Sequence, residues 1–284
     1  MTRSVRRTRR MLQVTGAGAT ALLALSACSS SDSDSSTKSD SSASASSSGK
    51  SDKPDKSGKL SGTVTVFAAA SLKESFTTLG KEFEKEHPGT KVTFSFGGSD
   101  SLAASITGGA PADVFASASP KTMAIVTGRK DNATEPVTFV RNQLEIATLP
   151  GNPDKVSSLK DLTKSGLKVV LCDKAVPCGA AAQKALDAGK LKLTPVSYEQ
   201  DVKAALNKVV LKEADAAVVY KTDVHAAGDK VEGVEFPESA KAINDYPITV
   251  LKDSKNAEAA KAFIALVGSA EGQRVLTEAG FLKP

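Results

Sequence analysis

The chain has 284 residues, of which 40% are hydrophobic and 24% charged, a composition typical of a soluble protein with one large or two mid-sized domains. The formal net charge of +5 is accounted for by five arginines that precede residue 11, and without them basic and acidic residues balance. A neutral protein with no tryptophan and three tyrosines lacks the basic and aromatic surface that nucleic-acid binding requires. Composition therefore excludes DNA and RNA from the expected partners.

The N-terminus has the features of a secretory signal. The arginines lead into an apolar stretch at residues 11–27, which is too short to span a bilayer comfortably as a helix. The stretch ends in Leu-Ser-Ala followed by Cys28, which resembles the lipobox of bacterial lipoproteins, where cleavage leaves a diacylglyceryl cysteine as the first residue. We therefore predict a signal peptide at 1–27, lipidation of Cys28 and attachment to the extracytoplasmic face of the cell membrane. An unmodified signal with an incidental Cys28 is the alternative, and Arg9-Arg10 leaves both Sec and twin-arginine export open.

The segment that follows the signal is almost entirely Ser, Asp, Lys, Ala and Gly. It contains no aromatic or large aliphatic residue, so it cannot bury enough apolar surface to offset the entropy of ordering. We predict a disordered tether at 28–59, with the folded part beginning near Leu60.

Two further cysteines, Cys172 and Cys178, are six residues apart across a loop that contains a proline. Outside the cytoplasm disulfides persist, so we predict a disulfide between them, with two free thiols as the alternative. A zinc site would need more Cys or His ligands than His87 and His225 supply, and no metal site is expected.

Downstream of Leu60 the sequence alternates between strand and helix patterns. Leu72, Phe76, Leu79 and Phe83, for example, follow one another at spacings of four, three and four, which is one face of a helix. The predicted elements in chain order are a strand at 63–69, a helix at 72–83, a strand at 91–96, a helix at 102–107, a strand at 112–116, a helix at 120–127, a strand at 143–148, a helix near 159, a strand at 167–171, helices at 179–188 and 199–211, strands at 216–220, 231–236 and 248–251, and helices at 257–267 and 271–279. Two such series predict an α/β fold with two lobes, each a mostly parallel sheet flanked by helices.

Four segments place small or polar residues where a strand or loop meets a helix N-terminus, at 69–72, 97–101, 176–179 and 199–202. The free N–H groups and the positive dipole end of a helix start make an anion site. Each segment also has a purely structural interpretation. Ser71 with Glu74 fits a capping box, Ser99 fits a turn or cap, Pro177 suits the first turn of a helix, and Tyr220 could be a buried tyrosine bonded to backbone.

Taken together and in order, the segments FAAASL, FGGSDSL, GAPADVFASA, VPCG, EQDVKAAL and AVVY resemble the molybdate-binding proteins of bacterial ABC uptake systems, which have the type II periplasmic-binding-protein fold. The resemblance covers essentially all of 60–284. It implies a tetrahedral oxyanion, molybdate or tungstate, held between the lobes by neutral groups and without a cofactor. The implied ligands are the hydroxyl and N–H of Ser71, Ser99, the backbone N–H groups of Cys178 and Val202, and the Tyr220 hydroxyl.

The same resemblance implies a monomeric receptor that delivers its oxyanion to an ABC permease. The chain of such a fold crosses between the lobes twice, and we expect the crossings near Arg141-Asn142 and at 245–247. Lobe 1 then comprises 60–141 and 247–284, and lobe 2 comprises 142–246. Cys178 stands where a small residue such as Ala is common, and Asp100, directly after Ser99, has to point away from a bound anion.

Other functions remain open at this stage. Relatives of the same fold bind sulfate, phosphate or iron, and hydrogen phosphate would need an acceptor carboxylate such as Asp100 or Asp201. A serine hydrolase with Ser71 as nucleophile would have only His87 or His225 as base and lacks a G-x-S-x-G motif, so we expect no enzyme.

Overall fold

The structure is a computed structural model that describes residues 59–284. The predicted signal peptide at 1–27, the lipidation site Cys28 and the predicted tether up to residue 58 lie outside the described residues.

The described chain consists of strands and helices joined by short connections. The strands are β1 (Gly62–Ala69), β2 (Thr90–Gly97), β3 (Val114–Ala116), β4 (Val137–Asn142), β5 (Leu144–Thr148), β6 (Val169–Cys172), β7 (Ser197–Glu199), β8 (Ala216–Tyr220), β9 (Glu232–Val234) and β10 (Asn244–Val250). The α-helices are α1 (Lys73–Glu86), α2 (Ser99–Thr107), α3 (Pro120–Gly128), α4 (Pro177–Ala188), α5 (Val202–Val210), α6 (Lys221–Ala227), α7 (Ala257–Gly268) and α8 (Ala270–Glu278). Short 3-10 helices lie at Ala70–Leu72, Leu159–Thr163, Gly228–Lys230 and Pro237–Lys241.

The strands form two five-stranded sheets, in the orders β2-β1-β3-β10-β4 and β7-β6-β8-β5-β9. In each sheet the first three strands are parallel. Strand β10 runs antiparallel to β3 and β4, and β5 runs antiparallel to β8 and β9. The predicted two-lobed α/β fold is confirmed, but both sheets are mixed, because one strand next to a crossing in each sheet, β10 in the first and β5 in the second, runs antiparallel to its neighbours.

The chain crosses between the lobes at two adjacent points. Strand β4 ends at Asn142 and β5 begins at Leu144, while the returning strand β10 begins at Asn244. Asn142 and Asn244 are partners in the β4–β10 register. Residues 244–246, assigned above to lobe 2, therefore pair with β4 in the first sheet, three residues earlier than the expected return at 247.

The predicted helix at 199–211 is divided in the structure. Residues 197–199 form strand β7, and the helix starts only at Val202, because the Asp201 side chain accepts a hydrogen bond from the Ala204 N–H at 2.9 Å and caps it. Strand β4 and helix α6 were not predicted. Helix α6 follows β8 without an intervening residue, so no turn signal marks its start.

The core of the first lobe is aromatic. The predicted face of α1 is fully buried, and the Phe76 and Phe83 rings lie edge-on to Phe263 of α7 at 5.8 and 5.7 Å.

Strand β8 of the second lobe is buried along its whole length, as expected for a strand covered on both faces. Within residues 59–284, no helix combines the length and the apolar character that crossing a membrane requires.

Candidate functional site

A small cavity of about 20 Å³ lies between the two lobes. All five residues predicted as oxyanion ligands line it, and each is at most 4% exposed. The lining residues are Ala69, Ala70, Ser71, Gly97, Gly98, Ser99, Ala118, Val176, Pro177, Cys178, Asp201, Val202 and Tyr220. A volume of this size is slightly more than one water molecule needs.

The cavity is built where strands end and helices begin. Ser71 lies in the 3-10 turn after β1, and Ser99 is the first residue of α2. Cys178 and Val202 lie in the first turns of α4 and α5, and Tyr220 is the last residue of β8. Ligands of α/β proteins collect at the carboxyl ends of parallel strands, where helix N-termini point free N–H groups at them.

The capping interpretation of Ser71 is not realised. Helix α1 is preceded by Leu72 and has no side-chain cap, and the Ser71 hydroxyl instead lies 2.8 Å from the Tyr246 hydroxyl. Helices α2 and α4, preceded by Gly98 and Val176, likewise have no side-chain hydrogen bond at their N-termini. Three helix starts around the cavity therefore leave their first N–H groups without a side-chain partner, as an anion site requires.

The other two hydroxyls are also held by neighbours. The Ala118 N–H donates to the Ser99 Oγ at 3.0 Å, and the Asn244 amide nitrogen donates to the Tyr220 hydroxyl at 2.7 Å. Burial raises the pKa of Tyr220 well above its usual range, so this hydroxyl keeps its proton at any physiological pH.

The cavity contains no basic side chain. Asp201 is the charged residue among those that line it, and its carboxylate is engaged in capping α5. Asp100 does not line the cavity; one of its carboxylate oxygens is buried beside Gly98 without a hydrogen-bond partner in the described structure.

Direct contacts across the cleft hold the lobes together. A Cβ at Gly98 would lie 2.5 Å from the Gln200 carbonyl oxygen of the opposite lobe, so only glycine permits this approach. The Lys203 ammonium lies 2.9 Å from the Glu74 carboxylate across the cleft and 3.2 Å from Asp223 within its own lobe. Asp223 is fully buried, and this burial raises its pKa to about 6 despite the ammonium beside it.

The predicted disulfide is present in the structure. Cys172 at the end of β6 is bonded to Cys178 in the first turn of α4, with a Cα–Cα distance of 5.8 Å. The bond closes the loop that presents the Cys178 N–H to the cavity. The same loop requires Gly179, because a Cβ there would lie 1.9 Å from the Asp173 carbonyl oxygen.

Sequence reasoning did not identify three residues directly behind the cavity hydroxyls: Asn142, Asn244 and Tyr246. Tyr246 is 175 positions from Ser71, Asn142 is 104 from Tyr246 and Asn244 is 24 from Tyr220, and no local motif marks them. Within GAPADVFASA, Asp113 turned out to be structural, since its carboxylate accepts hydrogen bonds from the Thr65 N–H at 2.7 Å and the Ser254 hydroxyl at 2.7 Å.

A hydrolytic site is not assembled around Ser71. The Ser71 hydroxyl is paired with a tyrosine, and neither histidine lines the cavity. Across residues 59–284, no group of three His, Cys, Asp or Glu side chains is arranged to hold a metal ion.

Comparison with known proteins agrees with this site. A family model described as bacterial extracellular solute-binding protein matches residues 64–282. The molybdate-binding protein ModA of Mycobacterium tuberculosis is 44% identical over 222 residues, covering 78% of this chain and 85% of the relative. ModA of Escherichia coli is 32% identical over 234 residues, covering 78% of this chain and 89% of the relative.

Among solved structures, the periplasmic molybdate-binding protein of Azotobacter vinelandii superposes with a TM-score of 0.69 at 20% identity, covering 78% of this chain and 99% of the other, which shows a shared fold. The relatives are solute-binding proteins and not enzymes. The chain therefore belongs to the family of bacterial extracellular solute-binding proteins and is similar along nearly all of its described length to the ModA molybdate-binding proteins.

Proposed function

We propose that this protein binds molybdate, or the isostructural tungstate, in the interlobe cavity and delivers it to an ABC permease. The ligands are the hydroxyls of Ser71, Ser99 and Tyr220 and the backbone N–H groups of Cys178 and Val202, with the Ser71 N–H as a further donor. The receptor acts as a monomer and needs no cofactor.

The observation that carries this proposal is the chemistry of the lining. Three hydroxyls and the starts of several helices converge on a cavity with no Lys or Arg, and the one lining carboxylate, Asp201, is engaged elsewhere. A fully ionised dianion has no proton to donate and needs only donors, which hydroxyl and N–H groups supply without a counter-charge. The 44% identity to a ModA protein supports molybdate among the dianions of this shape.

Isothermal titration of the purified protein with molybdate, tungstate, sulfate and phosphate tests the proposal. We expect one saturable site per chain for molybdate, weaker binding of sulfate, whose shorter bonds satisfy the donors less well, and still weaker binding of phosphate, which has a proton to place. Phosphate binding tighter than molybdate, or no molybdate binding, would refute the assignment.

The proposal includes a lipid anchor at Cys28 and a position on the extracytoplasmic face of the cell membrane. Two acyl chains give stable anchoring, whereas the polar sequence at 28–59 offers no apolar surface for a membrane. Cys28→Ala should therefore release the mature protein or block its processing. Detergent-phase partitioning of wild type and variant measures this, and a variant that still enters the detergent phase would contradict the lipobox interpretation.

A further inference from the structure

Three buried polar side chains lie at the two crossings between the lobes, outside the cavity lining. Asn142 ends β4, Asn244 begins β10, and Tyr246 follows two residues later. They are 0%, 7% and 0% exposed. Each is hydrogen-bonded to a cavity hydroxyl or to the group behind one.

The first chain of hydrogen bonds runs from Asn142 to Ser71. The Asn142 Oδ1 accepts from the Gln143 N–H at 3.0 Å, which fixes the orientation of the amide. The amide nitrogen then faces the Thr222 hydroxyl at 2.8 Å and the Tyr246 hydroxyl at 3.3 Å. Because an amide nitrogen only donates, Tyr246 accepts there and keeps its own proton to donate. The Ser71 Oγ lies 2.8 Å from the Tyr246 hydroxyl, a contact in which either hydroxyl can be the donor. With Tyr246 as the donor, the Ser71 proton is left for the cavity.

The second chain runs from Asn244 to Tyr220. The Asn244 nitrogen lies 2.9 Å from the Ala118 carbonyl oxygen, and this acceptor identifies it as the nitrogen end of the amide. The same nitrogen donates to the Tyr220 hydroxyl, whose own proton therefore cannot be given to Asn244. Ser99 is fixed in the same sense by the Ala118 N–H. Ser99 and Tyr220 thus each have a donor behind them, and Ser71 has one when Tyr246 donates.

We propose that Asn142, Asn244 and Tyr246 are positioning residues that hold the cavity hydroxyls as obligatory donors and so set selectivity against oxyanions that carry a proton. This inference rests on the proposed function. To accept a hydrogen bond from hydrogen phosphate, a cavity hydroxyl would have to turn its own proton toward the protein. With the donors arranged as above, that proton then faces another donor. A proton-free dianion meets no such conflict.

Two variants test the inference by selectivity, which a merely structural role would not change. Tyr246→Phe keeps the buried ring but removes the donor behind Ser71, so this hydroxyl can turn and accept. Asn142→Asp replaces the amide nitrogen by an acceptor oxygen and reverses the direction of these hydrogen bonds. Tyr246 then donates to the side chain at position 142, and Ser71 donates to Tyr246. The matched control is Tyr198→Phe, on the exposed strand β7.

Titrations at pH 7 with inorganic molybdate, sulfate and phosphate give the readout. In both variants the ratio of phosphate Kd to molybdate Kd should fall by about tenfold or more, the value of one hydrogen bond to a charged group. The ratio of sulfate Kd to molybdate Kd should stay within about twofold, because neither dianion carries a proton. The control should match wild type in all three.

The outcomes separate this inference from the function it rests on. Wild-type protein that does not bind molybdate refutes the proposed function. Wild-type protein that binds molybdate, with variants that lose affinity for all three anions in equal proportion, overturns only the positioning role. Tyr246→Phe is nearly isosteric and tests the idea even where Asn142→Asp fails to fold.

Discussion

Replacing Tyr220 by Phe removes one hydroxyl from the anion cavity and little else. The Tyr220 ring packs edge-on to Tyr246 at 6.0 Å, and Phe can make the same contact. The Asn244 nitrogen loses one acceptor but retains the carbonyl oxygens of Ala118 at 2.9 Å and Pro177 at 3.4 Å. The variant therefore leaves no buried donor unpaired, and its free energy of unfolding without ligand should change by less than about 1 kcal/mol.

Its effect on binding should be much larger. A hydrogen bond to a charged group contributes about 1.5–3 kcal/mol, so molybdate affinity should fall roughly 10- to 150-fold. Since burial raises the pKa of Tyr220, the loss should be the same at pH 7 and pH 9. Isothermal titration gives the affinity, and urea unfolding without ligand gives the stability. The control is Tyr198→Phe, because Tyr198 is 44% exposed and does not line the cavity. Unchanged molybdate affinity in Tyr220→Phe would refute the assignment of this hydroxyl.

Three further changes test the closure of the cleft, the buried carboxylate and the disulfide. Gly98→Ala places a methyl group against the Gln200 carbonyl oxygen of the opposite lobe and beside the Asp100 carboxylate of its own lobe. Overpacking costs about 1–3 kcal/mol, so molybdate affinity should fall roughly 5- to 150-fold. Titration that shows full affinity would contradict the observed approach. Asp223 binds its proton more tightly in the folded state, so the free energy of unfolding should fall by about 3 kcal/mol as pH rises from about 4 to about 6. Asp223→Asn should remove this fall. Urea-unfolding profiles against pH that run parallel for the two proteins would disprove the role of Asp223. Reducing the Cys172–Cys178 bond should lower the free energy of unfolding by about 2 kcal/mol for this short loop, and it should weaken molybdate binding. Two reactive thiols in unfolded, unreduced protein would show that the bond does not exist.

The local pattern of the sequence determined most of the elements, and the resemblance of short segments to a known family pointed to residues that line the cavity. The helix face of Leu72, Phe76 and Phe83 is buried as its spacing predicts. The ligand residues could be proposed because each lies in a short segment with a helix start or a strand end, and such segments resemble those of a known family. Secondary structure of this kind depends on residues within a few positions of one another, which a sequence displays directly.

The arrangement behind the cavity was decided by the tertiary structure. Asn142, Asn244 and Tyr246 come together with Ser71 and Tyr220 only because β4 and β10 pair at the crossing between the lobes. The same pairing places the start of the returning strand at Asn244. Contacts between residues so far apart follow from strand register and lobe closure, and a single sequence carries no local signal for either. The residues that line the cavity could therefore be proposed from the sequence, whereas the hydrogen-bond partners behind them were set by the fold.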